Sequence, residues 1–190
     1  MMDKLPGLSA ASEAELLRKC WYSHDARWFM CVAQEFGMEA ANRLNRRAVR
    51  ELGRVEAPRL ARALGMDGID SLEGLARLMD AASHILFPQP GMEFEVKVID
   101  SRSYEASFQR CFVHENIVRV GIGASYRCAV FDRLQGWHDG LGLPLAEDMP
   151  AAPCAKYEGL DCRRIMRIQP ASQRTAARSR SPAARPSCST

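Results

Sequence analysis

The sequence has no apolar run that approaches the roughly 18–20 residues needed to span a bilayer, and residues 1–20 contain no apolar segment of the signal-peptide type. It also lacks the paired C-x-x-C knuckles of zinc ribbons, the H-E-x-x-H zinc motif, the G-x-S-x-G nucleophile elbow, the P-loop and the dinucleotide fingerprint. We therefore expect a cytoplasmic protein that spans no membrane and takes no nucleotide cofactor.

Acidic residues are missing from the C-terminal end. Residues 171–190 hold four arginines and no acid, so removing these four charges from the net charge of +3 leaves residues 1–170 at −1. A nearly neutral body argues against a nucleic-acid surface. The Ala/Arg/Ser/Pro composition of residues 171–190 cannot build a core, so we expect a disordered tail with no assigned function after a single domain over residues 1–170.

Residues 12–87 form the predicted helical part of this domain. Helical periods, caps and glycine stops predict helices over residues 12–36, 38–52, 55–64 and 72–85. The first begins at a capping box that starts with Ser12 and ends at Gly37, the second ends at Gly53, and Pro58 is expected in the first turn of the third.

Two stripes on these helices are informative. One face of the first helix is formed by Leu17, Trp21, His24, Trp28, Cys31 and Glu35, which recur at spacings of three and four. His24 and Glu35 would need polar partners if that face were buried. The predicted inner stripe of the second helix is Ala41, Leu44, Asn45, Ala48, Val49 and Leu52. Its other side carries Arg43, Arg46, Arg47 and Arg50, a row typical of a solvated face.

The period changes from 3.6 to 2 after residue 91, and residues 92–169 form the second part of the domain. Alternating apolar and charged residues predict a β-hairpin that turns at residues 100–103 and places Cys111 on its polar face. Short helices over residues 114–120 and 126–141, the second capped by Ser125, and a strand over residues 163–168 follow. The fold class is α+β: a helical bundle packed on a small antiparallel sheet with a further helix.

Four cysteines mark the ends of these predicted elements: Cys111, Cys128, Cys154 and Cys162. Strand ends, a helix start and a loop can meet at one edge of a small sheet, and a cluster of thiolates favours zinc or another thiophilic metal. The odd total of seven cysteines in a reducing compartment argues against a disulfide framework. Separate free thiols in the core are the alternative reading.

His24 and Asp25 are the second candidate site. His24 has the only side chain on its stripe that titrates near neutrality without perturbation, so it is suited to act as a base or a metal ligand. Adjacent helical residues point about 100° apart, so Glu35 or Asn45 is an easier partner for His24 than Asp25 is. A core histidine bonded to a backbone carbonyl is the alternative.

Two segments, WYSHDARWFMCVAQEFGMEAANRLN and YRCAVFDRLQGWHDGLGLP, resemble a bacterial cytosolic family similar to L-2-amino-thiazoline-4-carboxylate hydrolases and, more distantly, to 4-vinyl reductase-type ligand-binding domains. The likeness covers about residues 12–168. Its marks are His24, Asp25, Trp28, Glu35, Gly37, Asn45 and the cysteines at positions 111, 128, 154 and 162. The resemblance implies an α+β domain, cysteines near the end of its sheet, and a small-molecule or metal-linked role.

Two functions follow as expectations. The first is a small-molecule or metal-binding domain, with zinc at the four cysteines and a ligand contacted by Trp28, Asn45 and Trp137. The second is a hydrolase that activates water toward a cyclic C=N carbon, with His24, Asp25 and Glu35 as its catalytic residues. The sequence does not decide whether the chain is an enzyme. A homodimer is an ordinary expectation for such a domain.

Overall fold

The computed structural model describes residues 7–66, 68–87 and 91–170, so the predicted tail lies outside the described residues. Within these ranges the elements are α1 (Ala10–Ala63), α2 (Leu72–Leu86), β1 (Met92–Asp100), β2 (Ser103–Cys111), α3 (Phe112–Arg119), α4 (Val130–Leu141) and β3 (Arg163–Arg167). The strands form an antiparallel sheet in the order β1-β2-β3. The predicted α+β class is confirmed. In the described part of the chain, no helix combines the length and apolar character needed to cross a membrane.

Helix α1 is divided at Gly37 into two arms, residues 10–36 and 38–63, which we call the first and second arms. Gly37 has φ 84° and ψ 161°, a conformation that glycine adopts without the steric penalty of a side chain. The predicted helix break is confirmed. The start is two residues earlier than predicted because Ser9, and not Ser12, is the N-cap: its side chain accepts a hydrogen bond from the Ser12 amide at 3.1 Å.

The second arm does not end at Gly53, which is buried within the helix. A Cβ built there would lie 2.4 Å from the carbonyl oxygen of Arg133 and 3.0 Å from the Cα of Gly136. The glycine therefore permits close packing of α1 on α4 and is not a stop signal. The helix also continues through Pro58, whose missing N–H leaves the Arg54 carbonyl without its usual helical donor.

Arginines of the second arm face α4. Arg46 donates to both carboxylate oxygens of Asp132, at 2.9 and 2.8 Å, and Arg50 donates to Asp139 at 2.9 Å. The predicted solvated face is therefore wrong for Arg46 and Arg50, which are half-buried, whereas Arg43 is exposed as expected. The helix is rotated relative to the prediction because α4 supplies acidic partners for one side of it.

The apolar stripes of α1 are likewise displaced. The first arm buries Phe29 and Val32, and the stripe that runs from Leu17 to Glu35 is exposed, so His24 and Glu35 need no buried partner. On the second arm, Leu44 of the predicted inner stripe is 42% exposed. The buried side of that arm instead contains Ala41, Asn42, Gly53, Glu56, Ala57 and Ala61.

The main core lies between α2, the sheet, α4 and the second arm. Its fully buried members include Leu78 of α2, Tyr104 and Ala106 of β2, and Met166 of β3. Ser71 caps α2 as predicted: its side chain accepts from the Gly74 amide. This core fixes the sheet against the helices and positions the ends of its strands.

A β-bulge in β2 changes the orientation of Cys111. Glu93 pairs with Arg110 and Phe94 pairs with Phe108, which leaves Gln109 as an extra residue. A bulge redirects the side chains that follow it. Cys111 is therefore buried in the same apolar cluster as Phe108, and the predicted polar-face position is wrong.

The remaining elements agree with the prediction except at one end. Helix α4 begins at Val130, four residues later than predicted, and Ser125 donates to the Ile122 carbonyl at 3.1 Å and does not cap it. The helix ends at Gly142, a left-handed residue with φ 72°, as expected. Helix α3 and strand β3 lie where the sequence placed a short helix and a last strand.

Candidate functional site

The four predicted metal-ligating cysteines come from separate segments of the chain and lie in one region beside the sheet. Cys111 ends β2, Cys128 lies before α4, Cys154 begins a turn, and Cys162 lies directly before β3. Cys111 and Cys162 belong to one apolar cluster, while Cys128 and Cys154 belong to a neighbouring cluster that also contains Tyr126. We call the four side chains the thiol cluster.

Backbone contacts hold these segments together. The Phe108 amide donates to the Cys162 carbonyl at 2.9 Å, which extends the β2–β3 pairing by one residue. The Cys128 amide donates to the Ala152 carbonyl at 3.1 Å, next to a bridge between Arg127 and Pro153. The sheet therefore positions Cys111 and Cys162. The pairing of the loop before α4 with residues 152–153 positions Cys128 and Cys154.

Burial controls the electrostatics of the thiol cluster. Removal from water raises the pKa of Cys128 to about 12 and that of Cys162 to about 11, and it also raises the pKa of Cys111. A smaller contribution to each shift comes from the negative charge that neighbouring cysteines of the cluster would carry, while Lys156 opposes the shift at Cys111 and Cys162. These three thiols are protonated near neutral pH, so they are not nucleophiles in this state.

His114, which is not part of an H-E-x-x-H motif and was not among the predicted site residues, is a neighbour of the thiol cluster. Its Nδ1 atom is 3.8 Å from the sulfur of Cys154. The spacing Cys111-x-x-His114 at the start of α3 is a signal in the sequence that could have identified it. Lys156 lies nearby and donates to the Gln109 carbonyl at 2.7 Å.

The side chains of this region are close but not converged on a point. Among the described residues, no three His, Cys, Asp or Glu side chains lie close enough together to hold a metal ion as they stand. The cluster is therefore a set of neighbouring thiols, of which Cys111, Cys154 and Cys162 are buried and Cys128 is half-buried. Sulfur donors of this kind suit zinc and other thiophilic ions by their chemistry.

The second candidate site is a groove of about 400 Å³ between the two arms of α1. Asp25 and Trp28 line it from the first arm, and Asn45 lines it from the second arm, so the structure brings together three of the predicted site residues. Phe29, Val32, Ala41 and Leu44 add apolar walls. Burial raises the pKa of the Asp25 carboxyl, opposed by the positive charges of Arg133 and His24.

The other three predicted residues lie elsewhere. His24 and Glu35 are exposed and do not line the groove. Trp137 is 3% exposed in the main core, where its indole N–H donates to Glu56 at 2.8 Å. The predicted group of His24, Asp25 and Glu35 is therefore not assembled around the groove, and Trp137 has a structural partner.

Buried polar groups of α1 and α4 were missed from the sequence. Glu56 accepts hydrogen bonds from Arg133 at 2.8 and 2.5 Å in addition to the one from Trp137. His138 has no exposed surface; one ring nitrogen lies 2.8 Å from the Leu143 carbonyl and the other lies 2.7 Å from the Tyr104 hydroxyl. Both groups are satisfied within the core, which indicates a structural role.

The two candidate sites adjoin at Tyr126. Its ring packs edge-on against Phe29 at 5.5 Å between centroids, and burial raises the pKa of its hydroxyl. The negative charges that Cys128 and Asp25 would carry when ionised both contribute to that shift, so the tyrosine lies within electrostatic reach of the thiol cluster and of the groove. One aromatic layer therefore separates them.

A protein family matches the N-terminal part of the chain. The model of a family described as "Family of unknown function (DUF6125)" matches residues 11–123, more than half of the chain. No curated protein and no solved structure matches the chain. The matched region contains the groove, Cys111 and His114, and it ends before Cys128.

Proposed function

We propose that this chain, which belongs to the DUF6125 family of unknown function, is a binding protein. In this proposal its thiol cluster binds zinc or another thiophilic metal ion. The observation that carries the proposal is the gathering of Cys111, Cys128, Cys154 and Cys162 from four segments of the chain into one buried region.

The donor chemistry supports this choice of ligand. Four sulfurs and the adjacent imidazole of His114 form a soft set of donors, which suits zinc or copper(I) and does not suit magnesium or calcium. A bound zinc ion would supply charge that keeps the thiols deprotonated, and binding would therefore release protons. Burial raises the pKa of Cys111 and of Cys162, and the positive charge of Lys156 opposes part of that shift.

Metal binding requires the side chains to turn toward a common centre, since no three of the described donors are in place as they stand. Cys154 and Cys162 lie at the two ends of a turn that contains Gly159 with φ 75°. Rotation of these side chains, with Cys111 held at the end of β2, is the least disruptive way to close the set. Bound metal would then tie the turn to the sheet and to the loop before α4.

The proposal is tested by comparing two serine variants. Cys128→Ser removes a thiol from the cluster, and Cys31→Ser removes an exposed thiol from the first arm as the matched control. The purified wild type and the control should each bind about one equivalent of zinc and gain thermal stability from it, whereas Cys128→Ser should lose most of both effects. Equal zinc binding by Cys128→Ser and the wild type would contradict the proposal.

The hydrolase alternative has less support from the geometry. Asp25 lines the groove and has a raised pKa, as a general acid or base would need, but His24 and Glu35 lie outside the groove lining. If the chain hydrolyses a cyclic amidine-like substrate there, Asp25→Asn should abolish turnover while His24→Ala slows it. Turnover that is indifferent to both variants would exclude this site.

A further inference from the structure

One surface of α1 has large apolar side chains that no described residue covers. Leu17 and Trp28 are each 65% exposed, Trp21 is 43% exposed, and Leu44 is 42% exposed on the other side of the groove. The groove between the arms lies in this surface, with Trp28 and Leu44 on its two walls. We call the four side chains and the groove the α1 face.

The spacing on the first arm is that of a helix–helix seam. Leu17, Trp21, His24, Trp28, Cys31 and Glu35 alternate by four and three, which is the 3.5-residue period of coiled-coil packing. The residues that this arm buries inside the protein are a different set, including Phe29 and Val32. The arm therefore has one apolar side for its own core and a second apolar side that faces solvent.

The α1 face combines a projecting side chain with a recess beside it. Trp28 projects from it with about two thirds of its surface exposed, and the groove beside Trp28 offers about 400 Å³ with apolar walls. A two-fold interface uses the same patch on both subunits, so a projection and a recess side by side can each receive the other. The apolar ring of Trp28 from a second copy matches the apolar lining of this recess, which includes Phe29, Val32 and Ala41.

The charges at the groove are also complementary to themselves. Asp25 lines the groove from the first arm and Arg47 lines it from the second arm. Within the described residues, neither side chain makes an ion pair or a side-chain hydrogen bond. The positive charges of Arg133 and His24 act on the Asp25 carboxyl from a longer distance, and other arginines of the second arm pair with α4. A two-fold axis at the groove would bring Asp25 of each copy toward Arg47 of the other.

The exposed apolar side chains of the α1 face supply about half of the area that a standard dimer interface buries. The exposed parts of two tryptophans and two leucines offer on the order of 400 Å² per copy, which lies within the range for the largest patches on monomers. A standard interface buries about 800 Å² per partner. The polar rim around the groove would have to supply the remainder.

We propose that a second copy of this chain docks on the α1 face, with Trp28 of each copy in the groove of the other and Asp25 paired with Arg47 across the two-fold axis. This interface is separate from the thiol cluster and does not depend on metal binding there. It would give the exposed seam of the first arm a partner and would close the open side of the groove.

The first test is the mass of the full chain in solution, measured by sedimentation across micromolar concentrations. The wild type should move from monomer to dimer as its concentration rises. Trp28→Glu should remain monomeric because it places a charge in the recess, with its helical circular dichroism unchanged since Trp28 is largely exposed. Ile165→Glu, a matched change of a 50% exposed side chain on β3, should dimerise like the wild type.

The second test uses the charges. Asp25→Lys and Arg47→Glu should each weaken dimerisation at least tenfold, whereas an equimolar mixture of the two variants should dimerise, because each mixed pair restores opposite charges on both sides of the axis. A wild type that stays monomeric overturns the proposal and leaves the α1 face to a helix of another protein or to a small ligand. A mixture that stays as weak as its components, or a Trp28→Glu variant that dimerises normally, overturns it as well.

Discussion

Glu56 neutralises an arginine inside the protein, and removing its charge should reveal how much the contact between α1 and α4 depends on it. The side chains of Glu56 and Arg133 are 7% and 13% exposed, and the carboxylate also accepts the indole N–H of Trp137. Burial alone would lower the pKa of Arg133, but the hydrogen bonds and charge of Glu56 outweigh it and the pKa is raised. Glu56→Gln keeps the shape and removes the carboxylate that pairs directly with Arg133, which leaves the more distant Asp25 as the acidic neighbour of this arginine.

Breaking a buried ion pair on one side destabilises a protein by about 3–5 kcal/mol. For a domain of this size each kcal/mol lowers Tm by about 2–4 °C, so Glu56→Gln should lower Tm by roughly 6–20 °C. In urea the midpoint should fall by about 2 M if the m-value is about 2 kcal/mol/M. Tryptophan fluorescence and far-ultraviolet circular dichroism are the appropriate probes, since Trp137 touches the altered group.

Glu51→Gln is the matched control on the same arm. Glu51 pairs with Arg54 at 2.8 Å, but the two side chains are 58% and 43% exposed, so the change should alter the stability by less than about 0.5 kcal/mol. Replacing both members of the buried pair, as in Glu56→Leu with Arg133→Met, should be less damaging than Glu56→Gln alone. A Glu56→Gln variant within about 1 kcal/mol of wild type would refute the reasoning.

Two further predictions concern α4. Burial lowers the pKa of His138 from 6.5 to about 4, so the unfolded chain binds a proton at this histidine at a higher pH than the folded chain does. The contribution of the neutral histidine to the free energy of unfolding is complete above pH 6.5 and should fall by about 3 kcal/mol as the pH decreases toward 4. Urea titrations at several pH values should show this loss in the wild type and not in His138→Gln. Gly136→Ala should destabilise the protein by about 1–3 kcal/mol and lower its urea midpoint, because the added Cβ would lie 2.1 Å from the Arg50 carbonyl oxygen. A midpoint equal to that of the wild type would mean that α1 and α4 can move apart at this position without loss of stability.

Local signals predicted much of the fold. The break at Gly37, the hairpin, α3 and the end of α4 at Gly142 depend on residues near in sequence, namely glycine conformations and alternating apolar side chains. These are the features that the chain specifies within a few residues.

Contacts between distant residues were not predictable in the same way. Glu56 and Arg133 are 77 positions apart, and nothing near either residue indicates the other. Because this contact and its neighbours turn the second arm toward α4, the arginine row could not be assigned correctly from helical periodicity alone. The bulge at Gln109 had a similar effect on Cys111: one extra residue moved it to the opposite face from the one that simple alternation predicts.

The measurement that tests the central proposal most directly is the absorption spectrum of the chain with cobalt(II) in place of zinc. Thiolate ligands give a sulfur-to-cobalt charge-transfer band whose intensity increases with the number of sulfurs bound, and tetrahedral coordination gives intense visible bands. We expect both in the wild type and in Cys31→Ser, with the charge-transfer band reduced in Cys111→Ser, Cys128→Ser, Cys154→Ser and Cys162→Ser. A wild-type spectrum without these bands, or a spectrum unchanged by the cluster substitutions, would contradict the account.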